Sequence, residues 1–215
     1  MSRGIIDTAK TVLVLCPHTD DEFGCAGTIS RLIRKGADVH YMAFSRCEES
    51  VPNGFPKDIL ETECRKATRV LGIDENNIEI LRYPVRNFPS FRQELLEKMV
   101  AIHRRLNPDL VLLPCSFDIH QDHQVINQEG IRAFKHSTIF GYELPQNITT
   151  FKNSAFVVIE NKDIQIKINA LSEYRSQTFR PYASKEFITS LAYLRGVQCG
   201  ANYAEAFELI RLIER

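Results

Sequence analysis

The chain has 215 residues, which is long enough to bury one sizeable hydrophobic core and favours a single domain over residues 1–215. Hydrophobic residues make up 44% and charged residues 25%, a balance typical of globular proteins that excludes wholesale disorder and collagen. Lysine plus arginine and aspartate plus glutamate each number 27. No net charge therefore attracts the chain to nucleic acid or to an anionic membrane, and we expect neither as a partner.

The cysteines and the apolar runs predict the cellular compartment of the protein. None of the six cysteines forms a C-x-x-C pair, which argues against a zinc ribbon or a redox dithiol and predicts reduced thiols. The first ten residues lack the apolar stretch of a signal peptide, and the longest apolar runs, 12–16 and 110–113, are far too short to span a membrane. These features predict a cytoplasmic protein.

Short apolar runs rich in β-branched residues alternate with longer segments of helical period, which is typical of parallel strands joined by crossover helices. In chain order, strands are predicted at 11–16, 39–44, 78–81, 110–113, 138–143 and 156–159. Helices are predicted at 23–34, 58–71, 91–106, 125–134, about 163–174 and 185–195, before a last segment at 203–213. The pattern predicts an α/β, Rossmann-like, doubly wound and mostly parallel sheet, of order near 3-2-1-4-5, with helices on both faces.

The least regular stretches are 45–57 and 83–90, and each directly follows a predicted strand. Loops in that position usually form the ligand-binding rim of an α/β sheet. In the second loop Arg86 and Asn87 are candidates to bind substrate hydroxyls, carboxylate or phosphate. Glu143, at the end of the fifth strand, is a further candidate for substrate binding. A solvated loop explains these residues equally well.

One imidazole and three carboxylates follow the first strand: His18, Asp20, Asp21 and Glu22. A structural interpretation is available, because Thr19 and Glu22 have the spacing of a capping box and the aspartates would lie at the positive end of a helix dipole. That interpretation does not account for His18, which lies where a buried strand meets the ligand-binding edge of the sheet. This cluster alone leaves both interpretations open.

A second cluster, residues 116–123, follows the fourth strand and contains His120 and His123. The His-x-x-His spacing places two rings on one side of a helical turn, and neutral imidazole is the commonest metal ligand. In a sheet of order 3-2-1-4-5 the first and fourth strands flank the topological switch point, so both clusters can reach one site. Three ligands drawn from histidine and aspartate, with a position open for water, are typical of catalytic zinc.

The motifs HTDDE at 18–22, followed by Gly27, and HQDH at 120–123 resemble those of the LmbE-like/PIG-L family of zinc-dependent N-deacetylases. Weaker similarities at 63–72, 108–111, 174–177 and 203–207 follow in the family's order, so the resemblance covers nearly the whole chain. It implies a metal-dependent hydrolase that removes acetyl from an N-acetylated amino sugar or sugar conjugate, and it suggests a homo-oligomer.

The resemblance also implies the roles of individual residues. His18, Asp21 and His123 match the metal ligands, with Zn²⁺ the expected ion and Fe²⁺, Mn²⁺ or Co²⁺ alternatives. The remaining matches are to the chemistry: Asp20 to the general base, His120 to the histidine that stabilises the oxyanion, and Asp122 to the acid that orients it. A protonated His120, held by Asp122, would offer the oxyanion both charge and a hydrogen bond.

Two positions depart from the family pattern. Thr19 replaces the usual proline of the first motif, which removes no coordinating group. Leu60 stands where family members acting on N-acetylglucosaminyl substrates often carry an arginine. The substrate of this chain can therefore differ from the glucosaminyl conjugates of the family.

Other functions on the same fold class fit less well. A dinucleotide-binding oxidoreductase needs a glycine-rich phosphate cradle, whereas the first turn offers only Gly24 and Gly27 among acidic residues. A Mg²⁺ protein that handles phosphate would leave the histidines unused. A noncatalytic carbohydrate- or nucleotide-binding protein remains the alternative to a hydrolase.

Overall fold

A seven-stranded sheet runs through the part of the chain that the structure, a computed structural model, describes: residues 4–214. Residues 1–3 and 215 of the predicted domain lie outside it. The strands are β1 (Thr11–Cys16), β2 (Asp38–Ala43), β3 (Ile78–Ile80), β4 (Leu110–Pro114), β5 (Thr138–Tyr142), β6 (Ala155–Val158) and β7 (Ala204–Arg211). The helices are α1 (Ile5–Thr8), α2 (Ala26–Arg34), α3 (Ile59–Leu71), α4 (Arg92–Leu106), α5 (Gln121–Ala133), α6 (Asn161–Leu171) and α7 (Lys185–Cys199).

The strand order is β3-β2-β1-β4-β5-β7-β6. The first five strands of this order are parallel, with Val12 of β1 opposite both Val39 of β2 and Leu110 of β4. The last strand, β7, lies between β5 and β6 and is antiparallel to both. The predicted fold class and the predicted order 3-2-1-4-5 are confirmed, and β7 with β6 extends the sheet at one edge.

Both faces of the sheet are covered. Along β1, Val12 and Val14 belong to the hydrophobic core on one side, whereas Leu13 and Leu15 belong to the core on the other. Helix α2 adds residues such as Ile29 to the first core, and α4 and α5 pack against each other over the second. A strand that is buried on both faces needs no polar alternation, which is why β1 reads as an unbroken apolar run.

Two predicted helices begin at the wrong residue, and both errors lie beside the clusters. The segment predicted as one helix from Phe23 is a 3₁₀ turn at Asp21–Gly24, then Cys25 with φ −144°, and only then α2. In contrast, the helix predicted from Val125 begins at Gln121. Residues 121–124 are polar, so hydrophobic periodicity could not detect this first turn. Within the described residues no helix is both long and apolar enough to cross a bilayer.

Candidate metal centre

The candidate site lies at the carboxyl ends of β1 and β4. Because these neighbouring strands are parallel, the segments that follow them leave the sheet at the same edge. A cavity of 220 Å³ opens there. Its lining includes both clusters and both loops that were predicted to form a rim: His18, Asp20, Asp21, His120, His123, Cys47, Ser50, Val85 and Arg86.

Three atoms that could bind a metal ion converge in this cavity. Nδ1 of His18 lies 3.0 Å from Nε2 of His123, and Oδ2 of Asp21 lies 3.4 Å from each of these nitrogens. A tetrahedral zinc ion with bonds of about 2.0–2.1 Å holds its ligand atoms roughly 3.3–3.4 Å apart. The spacing therefore fits an ion of this size. His120 lies in the same cluster, since ligand atoms of the three histidines all lie within 4.8 Å of one another.

Two buried carboxylates determine which nitrogen of each ring faces the cluster. Oδ2 of Asp118 lies 2.7 Å from Nδ1 of His123, and Oδ2 of Asp122 lies 3.1 Å from Nε2 of His18. Because an ionised carboxylate only accepts hydrogen bonds, each contact places a proton on the ring nitrogen that it touches. The opposite nitrogens are the two that converge with Asp21. Metal-binding histidines commonly have such a carboxylate partner.

The two converging nitrogens also require a cation. Two lone pairs 3.0 Å apart repel each other unless a proton or a metal ion lies between them. Burial disfavours the charged form of His18, but Cys47, Asp21 and Asp122 outweigh burial and raise its pKa well above the usual value. Without a metal ion, a proton on Nδ1 of His18 can thus form a hydrogen bond to Nε2 of His123. A bound metal ion would replace that proton.

Asp122 does not contact His120 in the way that the sequence predicts. Its backbone N–H donates to Nδ1 of His120 over 3.2 Å, whereas its carboxylate binds His18 and the backbone N–H groups of Arg86 and Phe88. The ring of His120 caps α5 as an acceptor and therefore carries its proton on Nε2. Burial, together with His123 and His18, lowers the pKa of His120 to about 4. These surroundings favour the neutral ring, whereas the sequence predicts an imidazolium.

The adjacent aspartates have opposite environments. Burial opposes ionisation of Asp21, but His123 and His18 hold its pKa at about 2. For Asp20, burial and the charge of Asp21 raise the pKa, and His18 and Arg180 oppose this shift only partly. Asp21 is thus a permanently charged partner of the histidines. Asp20 lines the cavity and holds a proton more readily than an ordinary aspartate.

The capping box considered for Thr19 and Glu22 does not form. The hydroxyl of Thr19 is buried and has no hydrogen-bond partner among the described residues. Glu22 is fully buried and contacts the hydroxyls of Tyr41 at 3.1 Å and Tyr174 at 2.7 Å. Both tyrosines also donate to the backbone carbonyl of Thr19. Burial raises the pKa of Glu22 to about 8. Two tyrosines and a glutamic acid therefore hold the backbone just before Asp20.

The residues predicted to bind substrate lie in different places. Arg86 lines the cavity and has φ 69°, a left-handed conformation, and its N–H donates to Asp122 over 2.5 Å. Asn87 is exposed and begins the 3₁₀ turn Phe88–Phe91. Glu143 is not among the residues that line this cavity, and both of its carboxylate oxygens bind Arg195. Of these three residues, the structure brings Arg86 to the cluster.

Sequence reasoning missed several residues of the site. Asp118 lies inside the second cluster, but the sequence gives no sign that it contacts His123. Gln177, Arg180 and Tyr182 line the cavity from a distant segment. Ser176 fixes that segment by binding both carboxylate oxygens of Glu63. The similarity at 174–177 was the signal that could have found this wall.

The sequence model of the PIG-L family, described as GlcNAc-PI de-N-acetylase, matches residues 13–134, which is more than half of the chain. The matched part contains both clusters. A search of curated proteins finds no significant match.

Solved structures share the fold over almost the whole chain. The N,N'-diacetylchitobiose deacetylase of Pyrococcus horikoshii superposes with a TM-score of 0.78 at 23% identity, covering 94% of this chain and 84% of that one. A conserved protein of Thermus thermophilus has a TM-score of 0.77 at 26% identity, covering 95% and 96%. The 4-carboxy-2-hydroxymuconate hydratase of Pseudomonas putida has a TM-score of 0.75 at 19% identity, covering 96% and 99%.

At such identities the structural likeness establishes the fold alone, and one neighbour is a hydratase, so the fold does not determine the reaction. The sequence match is the stronger finding, because it covers β1, β4 and the converging His18, Asp21 and His123. On this evidence the chain belongs to the PIG-L family.

Proposed function

We propose that this protein is a zinc-dependent N-deacetylase that hydrolyses the amide of an N-acetylated amino sugar or sugar conjugate. The observation that carries the proposal is the triangle of ligand atoms from His18, Asp21 and His123, with sides of 3.0, 3.4 and 3.4 Å. The family to which the chain belongs is described as a de-N-acetylase. A structural neighbour, the P. horikoshii enzyme, is a deacetylase of an N-acetylated sugar.

His18, Asp21 and His123 would hold the metal ion. Two imidazoles and one carboxylate leave a coordination position open, which separates catalytic from structural zinc sites. When bound, Zn²⁺ supplies Lewis acidity, which polarises an amide carbonyl and makes water easier to deprotonate. Asp118 and Asp122 keep the two rings in the tautomers that binding requires.

Asp20 is the general base of this proposal. It lines the cavity next to Asp21 but is not one of the three converging ligands. Its raised pKa suits a group that first takes a proton from water and then gives it up again. The water oxygen adds to the amide carbon, and the C–N bond then breaks. Asp20 passes its proton to the departing nitrogen, so acetate and a free amine are the products.

His120 stabilises the oxyanion that forms when water adds to the carbonyl. Its Nδ1 is occupied by the N–H of Asp122, so Nε2–H is the group left to donate. A neutral donor with a pKa of about 4 keeps its hydrogen bond at neutral pH without placing a further positive charge among the ligands. Since the backbone of α5 orients the ring, its direction is set before substrate binds.

The test combines metal content with amide hydrolysis. Zinc is measured by plasma mass spectrometry on the wild type and on His18→Ala and His123→Ala, and amine release from N-acetylated amino sugars is assayed on the same samples. His40→Ala is the matched control, because His40 binds Asp38 at the opposite end of the sheet.

We expect about one zinc per wild-type and control chain, and loss of both metal and activity in the two site variants. A wild type that binds no metal after incubation with Zn²⁺ or Mn²⁺ would contradict the proposal. Such a protein would be a noncatalytic binding protein. If the wild type binds zinc but releases no amine, the metal site is supported and the deacetylase activity is contradicted.

A further inference from the structure

The cavity at the metal centre has one apolar wall. Three buried side chains form it, those of Cys47, Leu60 and Val85, and they are 4%, 2% and 5% exposed. All three belong to the hydrophobic core that also contains Ile29 of α2. Apart from the ring of Tyr182, the other lining side chains are polar or charged. The apolar wall is therefore the place where this core reaches the cavity, and it favours an apolar part of a ligand.

Cys47 lies beside the proposed metal ligand His18. Burial raises the pKa of the Cys47 thiol to about 11, and the charge of His18 opposes this shift. The backbone of Cys47 is left-handed, with φ 56°, and its N–H donates to Oγ of Ser45 over 3.1 Å. The N–H of Ser45 donates in turn to the carbonyl of Pro17, the residue before His18, over 3.1 Å. Cys47 is thus fixed next to His18, where it packs as a small hydrophobe.

Val85 reaches the cavity from the loop after β3. The next residue, Arg86, donates its N–H to Oδ2 of Asp122, and the same oxygen lies 3.1 Å from Nε2 of His18. Val85 therefore lies one residue away from the hydrogen bonds that orient His18. Two of the three residues of the apolar wall are adjacent to the metal centre.

Leu60 completes the apolar wall from the first turn of α3. Its helix is held on two sides. Oε2 of Glu61 lies 2.6 Å from Nε of Arg46, in the loop that carries Cys47. Glu63 binds the N–H and the hydroxyl of Ser176, in the segment after α6. The wall is thus fixed at each of its three residues before a ligand binds.

Amide hydrolysis determines which part of a substrate meets this wall. The carbonyl carbon must lie where Asp20 and His120 can both reach its substituents, next to the metal ligands. The alkyl part of the acyl group is bonded to that carbon, so it stays close to the metal centre. The sugar ring is attached through the nitrogen instead, and its hydroxyl groups suit the polar part of the lining. The acyl group is therefore the part of the substrate that needs apolar neighbours beside His18.

We infer that Cys47, Leu60 and Val85 form the acyl pocket of this protein and restrict its substrates to short acyl groups, acetyl above all. The inference rests on the proposed deacetylase function and names the acyl part of its substrate class. Close-packed core side chains do not make room for an extra methylene unless the packing behind them shifts. Longer acyl groups are therefore excluded by their size.

The experiment uses the zinc-loaded protein and three substrates that release the same amine: N-acetyl-, N-propionyl- and N-butyrylglucosamine. For each substrate, kcat/KM is measured by the release of glucosamine. We expect kcat/KM to fall about tenfold for each added methylene, the lower end of what one methylene changes in an apolar pocket. Equal values for the acetyl and butyryl substrates would overturn the inference.

Variants that enlarge the pocket connect this preference to the apolar wall. In Cys47→Gly, Val85→Ala and Leu60→Ala we expect the ratio of kcat/KM for the butyryl substrate to that for the acetyl substrate to rise about tenfold or more. Truncation of a buried leucine destabilises a fold, so Leu60→Ala alone would be a weak test. Cys47→Gly avoids this difficulty, because glycine adopts φ 56° without strain. A wild-type ratio in every folded variant would contradict the acyl pocket.

Leu71→Ala is the matched control. Leu71 ends the same helix, is 3% exposed and belongs to the same core, but it does not line the cavity. Its ratio should equal that of the wild type. An equal rise in Leu71→Ala and in the pocket variants would show a general loosening of the core and would also overturn the inference.

Failure of the acyl pocket and failure of the proposed function give different results. Glucosamine release without preference for short acyl groups would exclude the pocket and leave the deacetylase. If no substrate is hydrolysed, the shift in Tm that each compound causes is measured on the same proteins. A shift that decreases from the acetyl to the butyryl compound in the wild type, but not in Cys47→Gly, supports the pocket. Equal shifts in the wild type exclude it.

Discussion

Oδ2 of Asp118 lies 2.7 Å from Nδ1 of His123, and both side chains are buried. The second oxygen of Asp118 accepts the backbone N–H of His120 over 2.8 Å. Asp118 thus connects the proposed metal ligand and the proposed oxyanion donor, and both of its oxygens must act as acceptors.

Asp118→Asn should weaken zinc binding. An asparagine has one acceptor oxygen for two required contacts. If the NH₂ group faces His123, Nδ1 of His123 must accept a hydrogen bond, so the ring proton moves to Nε2, the nitrogen proposed to bind zinc. If the NH₂ group instead faces the backbone N–H of His120, two hydrogen-bond donors point at each other. We expect zinc affinity to fall about 10- to 100-fold, measured by competition with a chromophoric chelator.

Asp74→Asn is the control for this substitution. Oδ1 of Asp74 accepts the N–H of Asn76 over 2.9 Å at the start of a surface turn, and asparagine performs that role as well as aspartate does. Its zinc affinity should equal that of the wild type. Wild-type affinity in Asp118→Asn would show that the tautomer of His123 does not depend on this carboxylate.

The meeting of the two clusters could be predicted because it depends on local signals. The apolar runs of β1 and β4 are unbroken because both faces are buried, and the crossover pattern makes them neighbours. His18 and His123 could therefore be placed together from sequence. The hydrogen-bond partners of these two histidines could not be predicted from sequence. Asp122 gives its N–H to His120 and its carboxylate to His18, a division that depends on where α5 begins.

Nonlocal pairing limited the rest of the prediction. Strand β7 enters between β5 and β6 in the antiparallel sense, which no local pattern of its sequence specifies. The wall formed by Gln177 and Arg180 depends on the contact between Ser176 and Glu63, which lie 113 residues apart. Such contacts are set by the packing of the complete fold.

Tyr174→Phe should reduce both stability and kcat. The tyrosine hydroxyl donates to the carbonyl of Thr19 and contacts Oε1 of Glu22, and all three groups are buried. Removing it leaves buried acceptors with fewer partners, at a cost of about 1–3 kcal/mol in the free energy of unfolding. Because Thr19 precedes Asp20, we expect kcat to fall more than KM rises.

Tyr193→Phe is the matched control, since the side chain of Tyr193 is 59% exposed. Urea denaturation measures stability, and amine release measures kcat and KM. Stability that falls while kcat is retained would show that the tyrosine supports the fold without positioning Asp20.

Lys167→Met should destabilise the fold strongly, although methionine is close to lysine in length and shape. Nζ of Lys167 lies 2.7 Å from Oε1 of Glu205, and both side chains are buried. Glu205 also accepts the N–H groups of Gly27 and Thr28 at the start of α2, so the pair connects β7, α6 and α2. Removing one partner of a buried ion pair costs about 3–5 kcal/mol, measured by urea denaturation.

Lys162→Met tests whether burial is the cause. Lys162 is on the same helix and lies 2.9 Å from Glu160, but both side chains are more than half exposed. An exposed pair contributes about 0–1 kcal/mol. Equal losses of stability in the two variants would contradict the argument.

The left-handed backbone of Arg86 provides a separate test, because it directs the N–H of Arg86 to Asp122, the partner of His18. Arg86→Gly permits φ 69° without strain, whereas Arg86→Val disfavours that conformation by about 1–2 kcal/mol. Both variants lose the guanidinium, so a difference between them reports the backbone. We expect the glycine variant to retain zinc affinity and the valine variant to bind more weakly, in the same chelator competition. Equal affinities would show that the orientation of His18 does not depend on this loop conformation.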